Sequence, residues 1–248
     1  MQIPILFEDN SLIVVDKPAG LVVNRAQTVR VPTLQDWAQL KVKIGNGEPA
    51  VEDKDFIDRA GIVHRIDKET SGILLIAKTP GTFSALQGQF RERTVRKTYL
   101  AIVHGEMVPS EGEIRAPVGR LPWNRERFGI VPGGKDAVTA YTVQKNFQSL
   151  PAGPLSLVTL YPQTGRTHQI RVHLKYANHP IVGDYLYAGR KTSRSDRLWA
   201  PRVMLHAWKI SFTHPGTGQI LSLIAPIPDD MQTIIDSPHG IRRSQPQD

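Results

Sequence analysis

Apolar residues fall in short blocks along this chain, and the spacing within each block predicts an element. Ile73-Leu74-Leu75-Ile76-Ala77 is an unbroken apolar run between a Thr70-Ser71-Gly72 turn and Lys78. It reads as a strand buried on both faces. Ile5-Leu6-Phe7 and Leu12-Ile13-Val14-Val15 read as two strands around an Asp9-Asn10 turn, and Pro18-Ala19-Gly20 turns into a third β segment at Leu21-Val22-Val23. Further strands are predicted at Lys97–Gly105, Ala137–Phe147, Leu155–Tyr161 and Met204–Phe212, the last returning as a hairpin through Ile220–Pro226.

Helical spacing is rarer. Leu34, Trp37, Leu40 and Ile44 recur on one face, with Thr33 as N-cap and Gly45-Asn46-Gly47 as the stop. Thr79-Pro80 opens a second helix striped by Phe83, Leu86, Gln87 and Phe90. Thr167 is expected to cap a third, bringing His168, Arg171 and Val172 near one face, and Pro228–Ile235 is a short fourth. Glu48–Arg59 and Gly189–Arg202 read as surface loops, Met107–Ala137 as a long irregular excursion or hairpin, and Asp236–Asp248 as a frayed tail. Many strands with few helices predict an α+β fold with a large mixed, mostly antiparallel sheet and flanking helices. No linker or repeat interrupts the pattern, so residues 1–235 are expected to be one domain and 236–248 a flexible tail.

Composition narrows the class. A chain of 248 residues, 40% hydrophobic and 22% charged, suits a soluble globular protein. No apolar run is long enough to span a bilayer, and the N-terminus lacks a secretory pattern, so a cytoplasmic location is expected. The absence of cysteine removes disulfides, cysteine nucleophiles and thiolate metal sites. His168 and His173 are five apart with no third ligand at a recognised spacing, so they read as hydrogen-bonded structural residues, and no metal is expected. The formal charge of +8 points weakly to nucleic acid. Placement strengthens it: Arg91, Arg93, Arg96 and Lys97 cluster, as do Arg120, Arg125, Arg127 and Lys135 around Trp123 and Phe128, and Arg190, Lys191, Arg194, Arg197 and Arg202. The middle cluster reads equally as a solvated loop or as a flap that stacks bases and holds phosphates.

The chemistry-bearing stretch is His64-Arg65-Ile66-Asp67-Lys68-Glu69-Thr70-Ser71-Gly72, a charged loop feeding straight into the buried strand. It resembles the His-Arg-Leu-Asp…Thr-Ser-Gly signature of the RluA-type pseudouridine synthases, with Ile66 at the leucine position. Lys17-Pro18-Ala19-Gly20, the Lys97-x-Tyr99-x-Ala101 pattern and Thr164-Gly165-Arg166-x-His168-Gln169-Ile170-Arg171-x-His173 resemble other blocks of that family, and the likeness runs from about Ile5 to Pro228.

The resemblance implies a central RNA-binding cleft and conversion of specific uridines in ribosomal or transfer RNA to pseudouridine. It implies Asp67 as the catalytic carboxylate, Tyr99 against the target base, and Arg171 as the cation beside Asp67, with Arg166 the alternative. Arg65 would fill the space left by a flipped base. His64, Thr70, Arg120, Arg166 and Lys97 complete the expected RNA contacts. The isomerisation involves no oxidation or energy input, so no cofactor is expected. The chain is expected to be a monomer and to begin directly at the catalytic domain, without the S4 RNA-binding domain many members carry. Two rivals are a non-catalytic RNA-binding domain and a carboxylate-dependent glycosidic hydrolase. The first has no use for Asp67, and the second needs another carboxylate, for which Glu69 is the nearest candidate.

Overall fold

The computed structural model describes residues 1–26, 29–42, 54–149 and 152–236. In chain order the strands are β1 (Ile5–Glu8), β2 (Leu12–Lys17), β3 (Ser71–Ala77), β4 (Arg96–His104), β5 (Glu111–Arg115), β6 (Val118–Leu121), β7 (Asn124–Ile130), β8 (Val138–Ser149), β9 (Gly153–Pro162), β10 (Leu205–Thr213) and β11 (Ile220–Ile224). The helices are α1 (Leu34–Val42), α2 (Lys54–Asp58), α3 (Pro80–Glu92), α4 (Gln169–Tyr176), α5 (Arg190–Asp196) and α6 (Asp229–Asp236). The fold is α+β, with a large mixed, mostly antiparallel sheet and a few helices. The chain forms two compact units, Met1–Lys97 with Ala207–Ala225, and Thr98–His206 with Pro226–Asp248.

In the first unit the strand order is β1-β2-β3-β10, with β11 paired to β10. Asp9 sets the β1–β2 turn, its Oδ1 accepting from the N–H groups of Ser11 (2.7 Å) and Leu12 (2.8 Å). β2 and β3 pair antiparallel from Leu12↔Ala77 to Lys17↔Gly72. Every residue of β3 is buried, as its unbroken apolar run predicts. Burying each of its four large side chains contributes about 1.5–3 kcal/mol, enough to make β3 a rigid anchor for the loop before it.

Three expectations change in this unit. Leu21–Val23 is not a strand: the Val22 and Val23 carbonyls accept from the N–H groups of Leu34 (2.9 Å) and Gln35 (3.0 Å), satisfying donors at the start of α1 that have no partner within the helix. Leu40 is 83% exposed while Leu34, Trp37 and Ala38 are buried. At about 100° per residue Leu40 lies about 240° round from Leu34, on the far face. Ile44 and the Gly-Asn-Gly stop lie outside the described residues, as does the first half, 48–53, of the Glu48–Arg59 loop. The rest of that loop forms α2, whose Phe56 packs edge-on against Phe83 of α3 at 5.8 Å. Thr79 caps α3 as expected, accepting from the Thr82 N–H at 3.2 Å.

In the second unit β4, β9, β8 and β5 lie side by side in that order, each pair antiparallel. Most of Met107–Ala137 is therefore ordered: β5 joins the sheet edge, and β6 and β7 form a separate two-stranded hairpin. Gly189–Arg202 is not a plain loop either, since it forms α5 and buries Asp196 against His104 Nε2 at 2.9 Å.

Candidate active site

Asp67 stands on a tight turn in the first unit. Its carbonyl accepts from the Thr70 N–H at 3.1 Å, and Thr70 is buried. The next carbonyl, of Lys68, receives the Gly20 N–H at 2.8 Å and the Lys17 ammonium at 3.1 Å. Lys17 is 0% exposed. Its ammonium also donates to the carbonyls of Pro18 (2.8 Å) and Leu21 (2.9 Å). The Lys-Pro-Ala-Gly turn is thus a clamp on the peptide that follows Asp67. Gly72, where the loop enters β3, has φ +111°, and a Cβ there would lie 2.3 Å from the Ala207 carbonyl oxygen, so glycine is required. The Asp67 side chain is partly exposed, and Arg65 and Lys68 are exposed.

His64 faces inward. Its Nε2 accepts the Leu75 N–H at 3.0 Å, which places the neutral ring's proton on Nδ1, and the ring stacks on Phe90 at 4.6 Å. Burial, and then the charge of Lys97, push His64 down to about 3. Burial and the neighbouring Arg93 likewise hold the Lys97 ammonium below the usual lysine range.

The second unit carries Tyr99, Arg166 and Arg171. Tyr99 is a partly exposed residue of β4 opposite Leu160. Arg171, 3% exposed, is held in a two-pronged ion pair: Nε donates to Asp184 Oδ2 at 2.7 Å and Nη2 to Oδ1 at 2.9 Å. Asp184 is itself 0% exposed and accepts from the N–H groups of Leu186 and Tyr187. The Tyr187 ring lies over the Arg171 guanidinium at 5.0 Å. Arg166 sits differently, donating from Nε to the Asp136 carbonyl at 3.1 Å.

The start of α4 departs from the expected Thr167 cap. His168 occupies that position in the left-handed region (φ 56°) without a side-chain cap bond. Gln169 secures the turn instead, its Oε1 accepting from Thr164 Oγ1 (2.7 Å) and the Arg166 N–H (3.0 Å). The two histidines are hydrogen-bonded: His168 Nδ1 to the Tyr187 hydroxyl at 2.8 Å, and His173 to Thr139 Oγ1 and the Ala116 carbonyl.

Among the basic clusters, the β6–β7 hairpin shows Trp123 80% exposed at its turn, Arg127 exposed, and the Arg120 guanidinium over Phe128 at 5.2 Å. Arg190, Lys191, Arg194 and Arg197 are exposed along α5 and just after it. Arg202 does not belong with them: it is buried and pairs with Asp230 at 2.6 and 2.8 Å. The sequence reading assigned no role to Lys17, Asp184 or Tyr187. The available signal was a lysine ending an apolar strand and an aspartate inside an apolar stretch, both costly to bury without partners.

Residues 11–176 match the family model described as RNA pseudouridylate synthase. The chain belongs to the RNA pseudouridylate synthase family. It is 43% identical over 245 residues to a protein of Nitrosomonas europaea named ribosomal large subunit pseudouridine synthase D, covering 97% of this chain and 66% of that one. It is 38% identical over 237 residues to an uncharacterised RNA pseudouridine synthase of Bacillus subtilis, covering 96% and 73%. Of a Neisseria meningitidis protein also named ribosomal large subunit pseudouridine synthase D it spans 61% of the length. The fold is similar to the solved structure of human RNA pseudouridylate synthase domain containing 1, with a TM-score of 0.71 at 27% identity, covering 91% of this chain and 83% of that one. The RluA-type likeness of the motifs agrees with these relatives.

Proposed function

We propose that this protein isomerises uridine to pseudouridine in RNA, and that its substrate is large-subunit ribosomal RNA. The observation that carries the reading is a family member's Asp67 on a turn clamped by Lys17 and closed by Thr70, at the mouth of a fully buried strand. The substrate class follows from the names of its relatives.

The reaction breaks the N1–C1′ bond, turns the freed uracil, joins C5 to C1′ and transfers the C5 proton to N1. Atoms and electrons balance within the nucleoside. Asp67 supplies the carboxylate that starts cleavage, by attack at C1′ or C6 or by removing the C2′ proton. A cation must keep that carboxylate ionised away from water, and Arg171 is the proposed one, with Arg166 the alternative. Tyr99 lies against the base and moves its proton. Arg65, exposed two residues before Asp67, fills the gap left when the uridine leaves its stack. Lys97, Arg166 and Arg120 are the proposed RNA contacts, with the hairpin and α5 cations as phosphate ligands, while buried Thr70 and inward-facing His64 support the Asp67 loop instead of touching RNA. The protein acts as a cytoplasmic monomer, and residues 1–235 are its catalytic domain.

The test incubates the purified chain with large-subunit ribosomal and transfer RNA transcripts and maps pseudouridine by carbodiimide labelling and primer extension. We expect a defined ribosomal site with wild type and none with Asp67→Asn, at unchanged RNA affinity. Wild-type turnover by the Asn variant would remove Asp67 from the mechanism, and product in transfer RNA alone would replace the substrate.

A further inference from the structure

We propose that Tyr187 is a positioning residue that joins the β6–β7 hairpin to the Arg171 guanidinium, so that RNA gripped by the hairpin sets how well Arg171 is aimed. The inference rests on the reading of Arg171 as catalytic and of the hairpin as facing RNA.

Three contacts meet on this one side chain. Its ring lies over the Arg171 guanidinium at 5.0 Å. Its hydroxyl accepts the Phe128 N–H of β7 at 3.2 Å and lies 2.8 Å from His168 Nδ1, at the strained start of α4. The backbone N–H of Tyr187 also donates to the Asp184 carboxylate that holds Arg171. The ring also belongs to a buried cluster with Val118 at the root of the hairpin and Val172 of α4, against which Phe128 and Ile130 pack.

The hairpin is thus seated on Tyr187 at its root, while its turn presents Trp123 at 80% exposure. Force on the turn moves the root, because close-packed interiors pass on displacement rather than absorb it. The first group beyond the root is the phenol, and beyond the phenol is the guanidinium. The two ends of Tyr187 divide the work: the ring face orients Arg171, and the hydroxyl ties in β7. A tyrosine that merely filled the cluster would need no bond to Phe128 and no guanidinium on its face.

The experiment measures single-turnover pseudouridine formation and RNA affinity for wild type, Trp123→Ala, Tyr187→Phe and the double variant, on a large-subunit ribosomal RNA transcript. Tyr187→Phe keeps the ring and removes only the hydroxyl. We expect it to slow the single-turnover rate roughly tenfold, as expected for a misaimed catalytic group, with RNA affinity within about twofold of wild type. Trp123→Ala should lower both affinity and rate, and in the Tyr187→Phe background it should lower affinity only. Rate losses that multiply in the double variant, or a wild-type rate for Tyr187→Phe, would overturn the proposal. The Arg171 Nε–H resonance, followed by ¹⁵N NMR without RNA, gives a readout independent of activity. It should move in Tyr187→Phe, and a resonance that stays in place would overturn the proposal. If wild type forms no pseudouridine in any RNA, the functional reading fails, and the resonance alone decides the coupling.

Discussion

Replacing Lys17 by methionine tests whether the clamp beside Asp67 is structural necessity or decoration. Methionine keeps an unbranched apolar stem of four heavy atoms, with sulfur for one methylene, and removes the ammonium. Three carbonyls lose a donor, but not equally. The Lys68 carbonyl keeps the Gly20 N–H at 2.8 Å and stays satisfied. The Leu21 carbonyl, whose bond to Lys17 is buried, is left without that donor, and the Pro18 carbonyl, at a part-buried bond, loses one as well. An unsatisfied buried acceptor costs about 1–3 kcal/mol and a half-buried one about half that, so Lys17→Met should cost about 2–4 kcal/mol. That is a fall of about 5–15 °C in melting temperature for a chain of this size. It is read by thermal unfolding followed by circular dichroism. The pseudouridylation rate at a temperature where both proteins are folded should fall as well, because the peptide after Asp67 is no longer held. A variant melting within about 2 °C of wild type at full rate would refute the reasoning, since three bonds to a 0% exposed ammonium would then contribute nothing.

Other perturbations follow from the same geometry. Asp184→Asn leaves the buried Arg171 charge with a neutral partner and should cost about 3–5 kcal/mol in urea unfolding; a loss below about 1 kcal/mol would mean the pair is not needed there. Gly72→Ala forces a Cβ to 2.3 Å from a backbone oxygen at φ +111° and should yield insoluble or strongly destabilised protein, whereas a soluble variant with the wild-type melt would contradict the close approach to β10. His64, held at about 3 in the fold against 6.5 ordinarily, contributes stability that is complete above pH 6.5 and is lost as pH falls from 6.5 towards 3, because the unfolded chain binds that proton first. Allowing for its partial exposure this amounts to about 2–4 kcal/mol. His64→Phe should flatten the acid limb of a pH series of melts, and parallel limbs for the two proteins would rule the residue out as its source.

Local order was written plainly in the chain wherever one residue pattern had one outcome. The apolar run before Lys78 had to be a buried strand, Thr79-Pro80 had to open a helix, and the β10–β11 hairpin was marked by its turn. The motif residues were legible too, because the chemistry needs those side chains in that order. Errors came where a short segment had two outcomes of similar energy. Leu21–Val23 carries strand residues yet the Val22 and Val23 carbonyls go to α1, and Thr167 looks like a cap while Gln169 makes the bonds. Leu40 was misplaced because it seemed to share a face with Leu34 and Trp37 and does not.

By itself, then, the order of residues determined the main strands and the longer helices, the basic character and the identity of the loop around Asp67. These depend on neighbours a few positions apart, whose hydrophobic spacing, capping and turn preferences act locally. Only the tertiary structure decided that Lys17 holds the peptide beyond Asp67, that Asp184 holds Arg171, that Arg202 is spent on Asp230, and that Tyr187 lies between a hairpin and a guanidinium. Those pairings join residues 13 to 59 positions apart. A buried charge or hydroxyl must find a partner wherever the fold brings one, and no local pattern specifies which partner that will be.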